Sequence, residues 1–138
     1  MLKQINAERI AKGLKPYQES AIHGHHIVMQ AAQGAAKIWN DKSITILEEF
    51  RIPRLFGLDG KEAIKRADTL DDLANISMAI NYADDIHSEK YAKAVFERLQ
   101  AVVDKAKLRK SSDAEVKELL IRELAAMRRI LEQGNRFW

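Results

Sequence analysis

Cysteine is absent from this chain of 138 residues. That absence excludes disulfide bonds, thiolate chemistry, zinc fingers and iron-sulfur clusters, and it fits a reducing compartment. The chain also lacks the continuous apolar run of about 20 residues that a membrane-spanning helix needs. Residues 1–14 carry charge where a secretion signal would be apolar. Together these absences predict a soluble cytoplasmic protein with no membrane partner.

The sequence signatures of common enzyme classes are missing as well. There is no Gly-rich phosphate-binding loop, no Gly-x-Ser-x-Gly elbow and no HExxH motif. The acid pairs lie in contexts typical of solvated helix ends; they are Glu48-Glu49, Asp71-Asp72 and Asp84-Asp85. We therefore expect no catalytic residue, no cofactor and no enzymatic activity.

Two apolar stripes dominate the C-terminal third of the chain. Their residues recur at intervals of three and four and so share one helix face: Ala92, Val95, Leu99, Val102 and Ala106, then Val116, Leu120, Leu124, Met127 and Leu131. Ser88 is placed to cap the first helix, and Ser112 with Glu115 has the spacing of a capping box for the second. Gly134 is placed to end the second helix. Residues 88–138 are therefore predicted to form an antiparallel helical hairpin with an aromatic tail.

Residues 1–87 are predicted to form short and buried helices. A first helix over 7–12 ends at Gly13, and a second, rich in small residues, is expected over 16–39 as the central buried helix. A short helix is favoured within 44–58. Capping signals predict two more, over 59–67 and 70–83. The expected fold is all-α: a single domain over 1–138 with about five or six helices.

Three of the four histidines lie close together before residue 27. On the predicted helix, Glu19, His23 and His26 would share one side, and imidazole with carboxylate is a reasonable ligand set for zinc. No fourth ligand is specified, although Asp84 and His87 could supply one from another helix. Chance clustering on a partly exposed helix is the favoured interpretation, and no bound metal is expected.

Positive charge is concentrated in the C-terminal region. Residues 1–87 hold 11 basic and 12 acidic residues, whereas residues 88–138 hold 12 basic and 8 acidic residues. One edge of the predicted helix over 88–110 carries basic residues without acids, namely Arg98, Lys105 and Arg109, with Lys110 at the turn. Such a row can follow a phosphate backbone. Ordinary solvated helix surface is nevertheless the favoured interpretation.

The hairpin carries more apolar residues than one partner helix can cover. The additional ones are Val103, Leu119, Ile121 and Ile130. Past Gly134, the aromatic residues Phe137 and Trp138 either fold back on the hairpin, which is favoured, or contact a partner. Residues 134–138 are similar to a Gly-Asn-x-Phe-Trp string of some phage small-terminase proteins, where it lies near the start of the chain. Five residues in a different place assign no family.

These features predict a small non-enzymatic protein that acts through protein–protein contact and self-associates. Its size and its lack of catalytic motifs suggest an accessory or regulatory protein of a bacterium or a mobile element. The alternative is a nucleic-acid-binding protein that uses the basic edge of the 88–110 helix. A metal-dependent helical enzyme that uses the histidine cluster comes third.

Overall fold

A computed structural model describes residues 2–16, 18, 23–53, 60–67, 74–79 and 84–138. This part of the chain is mostly helical and also holds a small two-stranded sheet, which the predicted all-α class omits. The elements in chain order are α1 (Leu2–Ala11), β1 (His23–His26), α2 (Ala35–Glu49), α3 (Gly60–Arg66), β2 (Ile76–Ala79), a 3₁₀ helix (Asp84–His87), α4 (Glu89–Leu108) and α5 (Asp113–Glu132). None of these helices is both long and apolar enough to cross a membrane.

Helix α1 ends where the sequence predicts but begins earlier. Gly13 follows it with a φ of 75°, the left-handed conformation that glycine adopts most easily. Asn6, which precedes the helix predicted over 7–12, lies inside α1. Helix α3 agrees with the short helix predicted over 59–67, although Asp59 itself lies outside the described residues.

The predicted central helix over 16–39 is wrong. Residues 23–26 form strand β1, and α2 begins only at Ala35, after Gly34 with a φ of 61°. The small residues that suggested close helix packing include two glycines, each of which costs a helix about 1 kcal/mol relative to alanine. Tertiary pairing therefore overrides a weak local helix signal here.

The predicted helix over 70–83 is wrong at its centre. Residues 76–79 form β2, which pairs with β1 in antiparallel register, so that His25 faces Ser77 and His26 faces Ile76. Residues 68–73 and 80–83 lie outside the described residues. The stretch over 44–58, where a short helix is favoured, holds the end of the longer helix α2, and Pro53 follows that end. Its last residues, 54–58, are not among those described.

Helices α4 and α5, called the helix pair below, begin at the predicted caps. The Ser88 hydroxyl accepts a hydrogen bond from the Tyr91 N–H at 3.2 Å. Ser112 and Glu115 form a full capping box. The helices are 20 residues long each, contact one another and are joined by residues 109–112. Their predicted stripe residues are buried except Val102, which is half-buried.

The hydrophobic core joins the helix pair to the rest of the described chain. Helix α2 packs against α4, while α3 contacts both strands and α5 contacts β2. The largest fully buried side chains come from both regions and include Ile27, Leu47, Tyr91, Leu99, Leu120 and Leu124. The segment that follows β1, residues 27–29, lies within this core.

Candidate functional site

Side chains from other elements hydrogen-bond the backbone that follows β1. This segment, Ile27 to Met29, is buried and is called the clamped segment below. Asn75 accepts from the Val28 N–H at 2.7 Å and donates to the Val28 carbonyl at 3.2 Å. Asn40, on α2, accepts from the Met29 N–H at 3.0 Å and donates to the Met29 carbonyl at 2.9 Å. Both asparagines are almost fully buried, so each amide replaces water at two backbone groups.

The clamped segment also positions a histidine through Tyr91. The Tyr91 hydroxyl donates to the Ile27 carbonyl at 2.7 Å and lies 2.8 Å from Nε2 of His25. A hydroxyl has one proton, and with that proton directed at Ile27 the donor in the second bond is His25 Nε2. Neutral His25 therefore carries its proton on Nε2 and its lone pair on Nδ1.

Burial keeps His25 in its neutral form. Removal from water, followed by the neighbouring charges of His87 and His26, lowers the pKa of His25 from 6.5 to about 3. The side chain is 7% exposed, which agrees with burial as the main cause. At any pH near neutrality the ring is thus an uncharged base with a fixed orientation.

Buried Met29 and exposed His87 complete this cluster. The Met29 sulfur lies 3.2 Å from Nδ1 of His87. The rings of His25 and His87 are 6.1 Å apart between centroids and nearly perpendicular, at 78°. His87 is exposed, so solvent reaches the cluster from that side. We call His25, Met29 and His87 the donor cluster.

The aromatic tail folds back onto Tyr91, which is the arrangement that the sequence favours. The centroids of Phe137 and Trp138 lie 5.5 and 5.1 Å from that of Tyr91. The Arg98 guanidinium stacks on Phe137 at 5.4 Å. Both aromatic residues are half-buried against the core, so only part of each is available to a partner.

The candidate metal ligands Glu19, His23 and His26 were grouped by their spacing on a helix, whereas residues 23–26 form a strand. Glu19 lies outside the described residues, and His23 and His26 are on a strand, not on one helix face. Side chains along a strand share a face every second residue, so the spacing of three and four that groups residues on a helix does not apply to this segment. The described ranges contain no group of three or more His, Asp or Glu side chains able to hold an ion.

His25, Met29 and Tyr91 are not among the site residues predicted from the sequence. Tyr91 is 66 residues from His25 in the chain, so no local pattern could connect them. One local signal was available, the apolar run Ile27 to Met29. Such a run indicates a buried strand segment if the histidines before it lie on a strand.

One residue of the predicted basic edge, Arg98, is neutralised by an acidic partner. Arg98 forms an ion pair with Glu123 across the helix pair and is about one-third exposed. Lys105, Arg109 and Lys110 are exposed, and no ion pair to them occurs among the described residues. Any phosphate-binding row is thus confined to the end of α4 and the turn after it.

A groove of about 450 Å³ lies between α4 and α5 beside that turn. Its apolar lining consists of Val102, Ala106 and Leu119. Leu119 is 39% exposed, and Leu108 nearby in sequence is 85% exposed. Among the other predicted interface residues, Ile121 and Ile130 are half-buried, whereas Val103 is 4% exposed and belongs to the core.

Searches with this chain against protein-family models, curated proteins and solved structures gave no match.

Proposed function

We propose that this chain is a non-enzymatic helical protein that acts through protein–protein contact, with a second copy of itself as the partner. The contact surface is the groove together with Leu108, and the helix pair presents it as an antiparallel hairpin. The observation that carries the proposal is the exposure of two leucines, Leu119 in the lining of the groove at 39% and Leu108 at the end of α4 at 85%. Apolar area removed from water there contributes about 25 cal/mol per Å².

The charges at the groove support a copy of the same chain as the partner. Lys105 lines it from α4, Arg109 from the turn after α4, and Glu115 from α5. In a twofold contact the same patch meets itself, so cations of one α4 can face the carboxylate of the other copy's α5. A rim of mixed sign suits such a self-complementary contact better than it suits a uniformly charged partner.

The experiment is sedimentation or light scattering from low to high micromolar concentration. We expect the mass to rise above that of the monomer, and Leu108→Glu to restore the monomer. The matched control is Ile38→Glu, since Ile38 is 64% exposed on α2 and outside the groove. A monomer at every concentration contradicts self-association, and an equal effect of the control contradicts the location.

An accessory or regulatory role in a bacterium or a mobile element is part of the same proposal. The chain's small size and its lack of catalytic motifs support it.

A second candidate function is nucleic-acid binding at the end of α4. It is favoured by the exposure of Lys105, Arg109 and Lys110 without ion pairs in the described part of the chain. Binding there would depend steeply on salt and little on base sequence, because the contacts are to phosphate. Fluorescence anisotropy with a labelled duplex at low salt tests it, using the triple reversal of these three residues to Glu. Binding that survives the reversal, or no binding, contradicts it.

A further inference from the structure

The donor cluster brings together three side chains from separate parts of the chain. His25 is on β1, Met29 is in the clamped segment, and His87 ends the 3₁₀ helix. The three share one neighbourhood, with His87 Nδ1 3.2 Å from the Met29 sulfur and the two rings 6.1 Å apart. Two imidazoles and a thioether therefore meet at one place.

This donor set is chemically selective. Thioether sulfur is a soft ligand and favours Cu(I), whereas hard ions such as Mg²⁺ and Ca²⁺ require oxygen ligands. Imidazole also suits copper. Cu(I) has a filled d shell and imposes little angular preference, so it accepts three donors in an irregular arrangement. The combination is therefore better matched to Cu(I) than to zinc, whose usual ligands are thiolate, imidazole and carboxylate.

One donor distance and one ring separation are compatible with ligands that share an ion. Because a bound imidazole nitrogen lies about 2.0 Å from the ion, its ring centroid lies about 3.2 Å away, so two rings sharing an ion are at most about 6.4 Å apart. The 6.1 Å between His25 and His87 falls inside that limit and implies a wide angle. Nitrogen and sulfur donors at about 2.0 and 2.3 Å, near a right angle, are about 3 Å apart. The 3.2 Å between His87 and Met29 fits this value.

The surrounding structure holds these donors in place before any ion arrives. Tyr91 binds Nε2 of His25 and is itself anchored on the Ile27 carbonyl, which leaves the lone pair on Nδ1. Asn40 fixes both backbone groups of Met29. Ligating histidines in metal sites almost always donate their second ring N–H to such a partner. Exposed His87 gives an ion a route from solvent.

We propose that His25, Met29 and His87 bind one Cu(I) ion, with Nδ1 of each histidine and the sulfur of Met29 as ligands. Tyr91 and Asn40 are positioning residues that orient His25 and Met29. The site is independent of the groove and uses none of the ligands predicted from Glu19, His23 and His26.

The test is competition for Cu(I) against bicinchoninate, performed anaerobically with ascorbate on the full chain. We expect one equivalent to be retained, and Met29→Leu and His87→Gln each to weaken binding about tenfold or more. The matched control is Met127→Leu, the same substitution at a fully buried methionine of α5. It should leave the Cu(I) affinity unchanged, and thermal melts show that each variant is folded.

A second measurement separates ligation from general loss of stability. With the methionine methyl groups labelled with carbon-13, Ag(I), a redox-inert substitute for Cu(I), should shift the Met29 signal and leave that of Met127 in place. The proposal is overturned if the chelator removes all Cu(I), if Met29→Leu binds like the parent protein, or if Met127→Leu loses as much affinity as Met29→Leu. It is also overturned if Ag(I) leaves the Met29 signal unshifted.

Discussion

The helix pair and the clamped segment are held together by different kinds of contact. The helix pair buries apolar stripes, and its ends are closed by caps and backbone bonds between residues a few positions apart. The clamped segment is held by polar side chains from distant parts of the chain, with His25 and Tyr91 66 residues apart and Asn75 47 residues from Val28. Apolar packing tolerates replacement by another apolar residue of similar volume, whereas a buried amide or carbonyl must keep its particular partner. The clamped segment should therefore be the less adaptable of the two.

The largest expected effect is in the helix pair. Leu99 and Leu124 are fully buried, and replacing either with alanine should lower the free energy of unfolding by about 2–5 kcal/mol. The control is Leu108→Ala, since that leucine is mostly exposed on the same helix as Leu99 and should change stability by about 0.5 kcal/mol or less. Urea denaturation measures both. Equal effects of Leu99→Ala and Leu108→Ala would show that the stripe is not a core.

The clamped segment should respond almost as strongly to the loss of one amide. Asn40→Ala leaves the N–H and the carbonyl of Met29 without the partner they have now, and we expect about 2–4 kcal/mol of destabilisation. The control is Asn135→Ala at an exposed position, where a small effect is expected. If Asn40→Ala costs no more than Asn135→Ala in the same denaturation assay, the side-chain clamp contributes nothing.

Acid should weaken the clamped segment before the helix pair. The pKa of His25 is about 3 in the folded chain and 6.5 when unfolded, so between these values only the unfolded state gains this proton. Stability is therefore lost as pH falls below about 6.5. For the metal-free protein the loss between pH 6.5 and 5 is at most about 2 kcal/mol.

His25→Gln removes the titrating ring and should flatten this dependence. Urea midpoints for the parent chain and the variant, compared across that pH interval, measure the difference. Parallel curves would show that His25 is not the group responsible.

The smallest effect distinguishes the two ends of the helix pair. Lys110 follows α4 with a φ of 54°, while Gly134 follows α5 with a φ of 77°. A side chain in this left-handed conformation costs about 1–2 kcal/mol. Lys110→Gly should therefore raise the free energy of unfolding by about 1 kcal/mol, whereas Gly134→Ala should lower it by a similar amount. Lys110→Ala is the control and should leave it nearly unchanged; a gain equal to that of Lys110→Gly would refute the backbone explanation.

Local signals explain why the helix pair was predictable. Ser88, Ser112, Glu115 and Gly134 each act within a few residues of their own position, and the apolar spacing is a property of one helix. The two strands offer no such signal, because their four-residue segments are defined by a pairing between His23–His26 and Ile76–Ala79. A short strand with no local alternation resembles a weak helix until its partner is known.

The donor cluster was unpredictable for the same reason. Helical spacing grouped Glu19, His23 and His26 and left out His25, the histidine that the structure buries against Tyr91. The basic edge was predicted in part, since Lys105, Arg109 and Lys110 are exposed as expected. Arg98 is instead paired with Glu123 on the neighbouring helix.

The sequence by itself determined the elements whose stabilising interactions are local: α1 with its glycine stop, α3, and the capped helices α4 and α5. Only the tertiary structure decided where the histidines lie, which asparagines hold the clamped segment, and that Arg98 faces a carboxylate. The physical reason is that helix propensity, caps and apolar periodicity act over about one or two turns. Buried polar partners are set by which distant groups packing brings within about 3 Å of each other.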